Sequence, residues 1–304
     1  MSIIDRPPFE PGPGDGLPGH YTLPGSGFSV PAGLEAVIEY RGLLMNVQPN
    51  VDKYRITTID GLQDADVRDV RDVNSDADGE APYISLYGGR TIVINGSIWT
   101  YSVGKMRDMQ MALRAAFTDL HNEYPLVFHL GDPSKDHFIN CKKISSIMGT
   151  EAQPDLMAHR DFQISLRASN PRFLSFQLNS IDEDLSSVPI VTTPVPLGTA
   201  HNRGNYNAQP IYRVYGRCSR CMIQNAATGK KFNITLIEDG DYIELDLTGV
   251  SPTCKDSTGD ISWSCLTDDS DFVELAGGPG GADNQLYYSG DPQRITVTWR
   301  DSWI

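Results

Sequence analysis

The groups in this chain best suited to chemistry are thiols, imidazoles and carboxylates, and each set falls short of a working site. Cys218-Ser219-Arg220-Cys221 has the two-residue gap of a zinc knuckle, and Cys254 with Cys265 brings the thiols to four. The second pair is spaced far more widely than the roughly two to four residues that orient tetrahedral thiolates. Cys141 makes the total five, an odd count with no regular framework. Reduced, partly buried thiols on strands are therefore expected, and a disulfide between two of the last four stays open. His129 and His137 would need a positioned partner to act as acid or base, and no HExxH or GxSxG stretch supplies one. Structural or surface roles are expected for both.

The carboxylates crowd into Asp60 to Glu80, where Asn74, Asp76, Asp78 and Gly79 open like a calcium loop. The twelfth position is Ser85 rather than a bidentate glutamate, and the flanks are strand-patterned rather than helical. A solvated loop whose like charges repel is expected instead. Gly277-Gly278-Pro279-Gly280-Gly281 would cradle a phosphate only with a helix behind it, and the β-patterned Leu286-Tyr287-Tyr288 follows. No catalytic, cofactor-binding or metal-binding residue is assigned.

At 304 residues the chain has length for about two domains with real cores. Its formal net charge of -14 argues against a protein that grips nucleic acid by the phosphates. No apolar run approaches the roughly 20 residues of a membrane helix, and the N-terminus lacks the layout of a signal peptide. No membrane role and synthesis in the cytoplasm are expected.

The elements that must position these groups are mostly strands. Tyr83 to Tyr87 and Thr91 to Asn95 alternate β-branched or aromatic residues with small or polar ones, and Gly88-Gly89 reads as the hairpin turn between them. Asn95-Gly96 reads as a second turn. Then the period changes: Met106, Met109, Leu113, Phe117 and Leu120 fall three and four apart, predicting a single amphipathic helix from Lys105 to His121, ended before Tyr124-Pro125. Further strands are expected at Ala36 to Tyr40, Tyr54 to Ile59, Leu126 to Leu130, His137 to Cys141 and Asp161 to Ala168.

Prolines divide the rest. Residues 1–33 form a Pro/Gly-rich arm, 34–181 a first domain, 182–200 a linker containing Pro189, Pro194 and Pro196, and 201–304 a second domain. In that last part, short strands at Ile211 to Tyr215, Cys221 to Gln224, Lys231 to Leu236, Tyr242 to Asp246 and Arg294 to Arg300 have the spacing of a β-sandwich.

The order of strand, Gly88-Gly89-Arg90, strand, Gly96 and helix resembles the N-terminal belt domain of phage distal tail proteins of long, non-contractile tails. Asp60-Gly61-Leu62 is similar to the turn after that family's second strand, and Ser169-Asn170-Pro171-Arg172-Phe173 to its closing stretch. Gly204-Asn205, Ala208-Gln209-Pro210-Ile211, Ile223-Gln224-Asn225 and Asn284 resemble parts of its galectin-like C-terminal sandwich. The resemblance implies a mainly β, non-enzymatic virion protein: a belt domain with one α-helix and a hairpin, then a galectin-like sandwich. It also implies a hexameric ring at the tail tip, with the major tail tube protein and the tail-tip hub protein as partners. Gly88, Gly89, Arg90, Gly96, Met109, Leu113, Phe117, Pro171 and Phe173 become structural or assembly candidates. DNA would cross such a ring without specific binding, past a wall richer in carboxylates than in Lys and Arg, with Asp64 to Asp78 the first candidate. Two other readings stand beside this one. A carbohydrate-binding adhesin module would meet host-surface glycan through Trp263, Tyr287, Tyr288 or Trp299, and a hydrolase would use a carboxylate pair.

Overall fold

Alternating side chains give this chain strands that bury one face, and antiparallel pairing assembles them into two units, one up to Phe176 and one from Gln177 to Trp303. The structure, a computed structural model, describes residues 36–47, 52–63, 65–73, 80–149, 159–216, 218–238, 241–249 and 251–304. The proline-rich arm and the calcium-loop-like stretch Asn74 to Gly79 lie outside them.

The first unit runs β1 (Val37–Tyr40), β2 (Leu43–Met45), β3 (Lys53–Asp60), β4 (Val67–Val73), β5 (Glu80–Tyr87), β6 (Arg90–Trp99), α1 (Val103–Ala116), β7 (Tyr124–His129), β8 (His137–Met148), β9 (His159–Ala168) and β10 (Phe173–Ser175). Its strands follow the antiparallel path β2-β1-β7-β8-β9-β6-β3, with β10 on β8. Strand β8 belongs to two sheets. Its first half pairs with β7 from His137 to Cys141, and its second half pairs with β9 from Lys142 to Met148. A register shift between Lys143 and Ser145 marks the β9 ladder just past the change of partner. Ile38, Ile56, Ile92, Ile94, Leu126, Ile139 and Leu166 form the buried interior.

Three local expectations need correction. Gly88-Gly89 is not a hairpin turn, because β5 pairs with β4 and β6 pairs with β3 and β9. The Gly88 amide donates to the Asp66 carbonyl at 2.5 Å, and a Cβ on Gly89 would lie 2.7 Å from the Ala168 carbonyl oxygen. The glycine pair thus lets the chain pass close against β9 and change sheets. The hairpin of this region is β4–β5, so much of the acidic stretch expected as a loop is strand. Nor is Gly96 a turn: β6 continues through it, and a Cβ there would meet the Arg55 carbonyl oxygen at 2.5 Å and the Phe162 ring at 2.7 Å. It is a point of close backbone approach within a strand.

The single helix buries Met106, Met109, Leu113 and Ala116, as its period requires, but stops at Ala116 rather than His121. Phe117 is its C-cap and is buried, whereas Leu120 is exposed. Asp119 ends it. Its carboxylate accepts from the His121 amide (2.8 Å), the Asn122 amide (3.3 Å) and the Tyr124 hydroxyl (2.5 Å), a side-chain turn that competes with further helix.

The second unit contains β11 (Asn179–Asp184), β12 (Val191–Asn202), β13 (Ile211–Tyr215), β14 (Cys218–Asn225), β15 (Lys231–Ile237), β16 (Tyr242–Asp246), β17 (Thr253–Asp256), β18 (Ala282–Gly290) and β19 (Arg294–Trp299). One sheet has the order β11-β19-β13-β16-β17 and the other β12-β18-β14-β15. Their shared core includes Tyr212 and Phe232, edge to face with ring centroids 5.0 Å apart. The expected linker 182–200 is therefore two edge strands of this sandwich. Pro194 and Pro196 fit because β12 lies at an edge and its register shifts between Val191 and Val195 and again between Pro196 and Gly198. Leu197 is buried, and Val191 and Val195 pack on the core.

Strands β11 and β12 close both sheets, so residues 177–304 expressed alone should unfold cooperatively in urea as a β-protein. The fragment 200–304, which lacks β11 and most of β12, should show no cooperative transition. Equal stability of the two fragments would place β11 and β12 outside the folding unit.

Candidate functional site

Arg90 opens β6 and has almost no contact with water, at 1% exposure. Its guanidinium donates to the carbonyls of Gly61 (3.1 Å) and Leu62 (2.5 Å) and lies 4.9 Å from the centre of the Phe173 ring. Phe173 in turn meets Phe128 edge to face at 6.1 Å. The carbonyls can face the arginine because Gly61 takes a φ of +85°, which L side chains rarely adopt, and a Cβ there would strike the Thr91 carbonyl. The Asp60-Gly61-Leu62 turn, the Gly-Gly-Arg stretch and the Pro171 to Phe173 segment, distant in sequence, meet at this one cation. Pro171 is half-buried between β9 and β10.

Met109, Leu113 and Phe117 form a second centre under α1. Phe117 stacks flat on Tyr40, with ring centroids 4.5 Å apart and planes 5° from parallel. The Tyr54 hydroxyl donates to the Met109 carbonyl at 2.8 Å, and Arg41 donates to the Ala116 carbonyl at 3.3 Å, so a residue of β3 and one of the β1–β2 turn hold the helix by its backbone. Gly96 belongs to neither centre.

Across β9, β6 and β3 runs a ladder of polar side chains. Gln163 donates to Asn95 at 2.9 Å, Asn95 donates to Thr58 at 2.9 Å, and Arg167 donates to Thr91 at 2.8 Å. These groups alternate with the buried Ile92, Ile94 and Ile164, so the sheet has one dry and one polar face.

Sequence reasoning gave His129 a bland role and missed its partners. Its Nδ1 lies 2.8 Å from Asp136 Oδ2 and its Nε2 lies 3.2 Å from Glu39 Oε2, tying β1 to the loop before β8. Carboxylates only accept, so an imidazole with both nitrogens facing them is satisfied as the doubly protonated cation. The hydrogen bond to Asp136 raises the His129 pKa, against the lowering effect of burial and with help from Glu39. No spacing rule links positions 39, 129 and 136, and only the strand register brings them together.

In the second unit, buried amides do comparable work. Asn284 accepts from the Ala276 amide at 2.6 Å and from Asn225 Nδ2 at 2.9 Å, while Asn202 donates to the carbonyls of Tyr206 (2.8 Å) and Ala276 (3.2 Å). They pin the glycine-rich loop at its Ala276 end. Of the aromatics considered as sugar platforms, Tyr288 and Trp299 are buried, and Trp299 donates to the His201 carbonyl at 3.2 Å. Trp263 is exposed but meets Phe272 edge to face at 70°, which breaks up a flat stacking surface. All five cysteines are free and buried, and among the described residues no three His, Cys, Asp or Glu side chains are grouped to hold a metal ion.

No protein-family model matches the chain, and no curated protein is similar to it in sequence. Among solved structures, the crystal structure of Dit (gp 19.1) from phage SPP1, described as a paradigm of the hub adsorption apparatus in Gram-positive infecting phages, overlaps it with a TM-score of 0.62. The overlap covers 89% of this chain and 100% of that one, at 12% identity. The chain has the Dit fold. A chain in the phage P2 baseplate in its activated conformation with Ca gives a TM-score of 0.48 at 6% identity, over 87% of this chain and 97% of that one. With so little identity, the Dit fold is shared as an arrangement of backbone and core, and the described helix and strands are mainly β as the sequence implies.

Replacing Arg90 with alanine should cost about 2–4 kcal/mol, since it bares two buried carbonyls and opens a cavity beside Phe173. Urea denaturation of the full chain measures this directly, and an unchanged midpoint would show the contacts to be dispensable. His129 makes a pH-dependent contribution. Because its folded pKa is raised, that contribution is complete below the unfolded histidine value of about 6.5 and disappears as pH rises through the folded value. Stability of the parent protein should therefore fall as pH rises across this window more steeply than that of His129→Gln. Identical slopes would remove His129 from the balance.

Proposed function

We propose that this chain is a non-enzymatic structural protein of a phage particle, forming a ring at the distal end of a long tail and joining the tail tube protein to the tail-tip hub. The observation that carries the reading is the overlap with Dit from phage SPP1, which takes in the whole of that chain and both units of this one. Its support is architectural. The residues singled out as assembly candidates include Arg90, Phe173, Leu113 and Phe117, which lock the first unit's strands and helix into one shape, and a ring subunit needs such a rigid body. The second unit is a two-sheet β-sandwich, and in this reading it plays the part of the galectin-like domain of distal tail proteins.

In this reading the ring is a hexamer, and DNA passes through it without being held. The net charge of -14 supports that part, because basic linings bind phosphates by counterion release. The proposal keeps a channel wall in which carboxylates outnumber Lys and Arg. Light scattering of the purified full chain should give a mass six times that of the subunit, and negative-stain images should show rings with an open centre. A protein that stays monomeric across the accessible concentration range, alone and with its tail tube partner, would overturn the reading.

A further inference from the structure

Cys254 on β17 and Cys265, at the end of the short turn Trp263–Cys265, face each other with sulfur atoms 3.4 Å apart. Both are buried, and a framework that does not depend on the thiols holds them there. The Ser262 amide donates to the Cys254 carbonyl at 2.9 Å, and Lys255 pairs with Ile261. Leu266, next to Cys265, bridges to Ile234 of β15. The intervening loop turns through Gly259 at a φ of +89°, with the Asp256 carboxylate accepting from the amides of Thr258 and Asp260, each at 3.0 Å. A disulfide requires the sulfurs to move about 1.4 Å closer, within reach of side-chain rotation.

We propose that Cys254 and Cys265 are a reversible thiol–disulfide pair, oxidised by a small disulfide such as glutathione disulfide, and that the bond locks the loop presenting Ile261 and Trp263. The Cys265 thiolate attacks one sulfur of glutathione disulfide, breaking its S–S bond and releasing one glutathione thiolate. Cys254 then loses its proton to that leaving group and attacks the Cys265 sulfur, expelling the second glutathione. Two protein thiols are oxidised, one glutathione disulfide becomes two glutathiones, and one S–S bond forms as one breaks. The order of attack follows from the hydrogen bond between the two thiols, which holds Cys265 below the ordinary cysteine range and, with burial, pushes Cys254 up. Cys141 lies in the first unit, and although Cys218 and Cys221 share a hydrogen bond, the Cys218 thiol also donates to Asp291, 3.4 Å away, which competes for that sulfur.

The consequence is local. Ile261 and Trp263 are exposed, and Phe272 packs against Trp263, so the loop carries an apolar patch whose shape the bond would fix. The test uses the full chain, incubated with glutathione disulfide, unfolded, alkylated and mapped by peptide mass. A Cys254–Cys265 cross-linked peptide is expected, with Cys141, Cys218 and Cys221 still alkylated and the cross-link reversed by dithiothreitol. Cleavage after Trp263 by chymotrypsin should slow several-fold in the oxidised protein. A different pairing, no cross-link, a Cys265–glutathione adduct that never closes, or an unchanged cleavage rate would each overturn the proposal. All these readouts are made on the parent sequence, so no variant has to fold.

Discussion

A guanidinium sealed from water sets the geometry of the first unit. Taking a charge out of water is so costly that it persists only where several partners converge on it, and at Arg90 those partners are two carbonyls and the face of an aromatic ring. The carbonyls come from the Gly61-Leu62 turn and the ring from Phe173, so with Arg90 itself the cation fixes three segments at once. It also dictates residue types around it. Gly61 must be able to turn its carbonyl inward, and Gly89 must let β6 start close against β9. Hydrophobic contacts such as Phe117 on Tyr40 add most of the bulk stability, but they are less directional than the hydrogen bonds that Arg90 Nη1 gives to the two carbonyls.

In the second unit buried amides do much of this work. Asn202, Asn225 and Asn284 are buried side chains that donate to carbonyls of the loop around Ala276, and Asn284 also accepts from the Ala276 amide. An amide offers both a donor and an acceptor, so it can substitute for a missing strand neighbour where the chain leaves the sheet. The glycine-rich segment is ordered by its surroundings, and no anion is needed to explain it.

Much of this was legible in the sequence where one face of an element is buried. The strands at Ile211 to Tyr215 and Tyr242 to Asp246 have the bounds their alternation implies, and the helix buries the face its period marks. What escaped were features in which the residue type is clear but the partner is not. Two glycines announce permissive backbone, whether the chain reverses or changes sheets, so Gly88-Gly89 reads equally well as a hairpin. Prolines announce a missing donor, and that suits an edge strand as well as a linker, so residues 182–200 read equally well as connection. Leu120 keeps the helical period, so the pattern points to His121, whereas the helix stops at Ala116 and the carboxylate of Asp119 caps the turn beyond it. The residues of the arginine site were all visible by type. Their meeting was not, since nothing local ties position 90 to position 173.

Strand β8 adds a mechanical property to the first unit. Because successive halves of one continuous backbone are laced into different ladders, neither sheet can be peeled away without drawing on covalent chain that the other sheet still grips. Tension applied at one ladder is carried along the strand into the next and meets its hydrogen bonds in shear, all loaded together, rather than one at a time as in unzipping. The strand is thus a continuous covalent tendon between the β7 and β9 ladders.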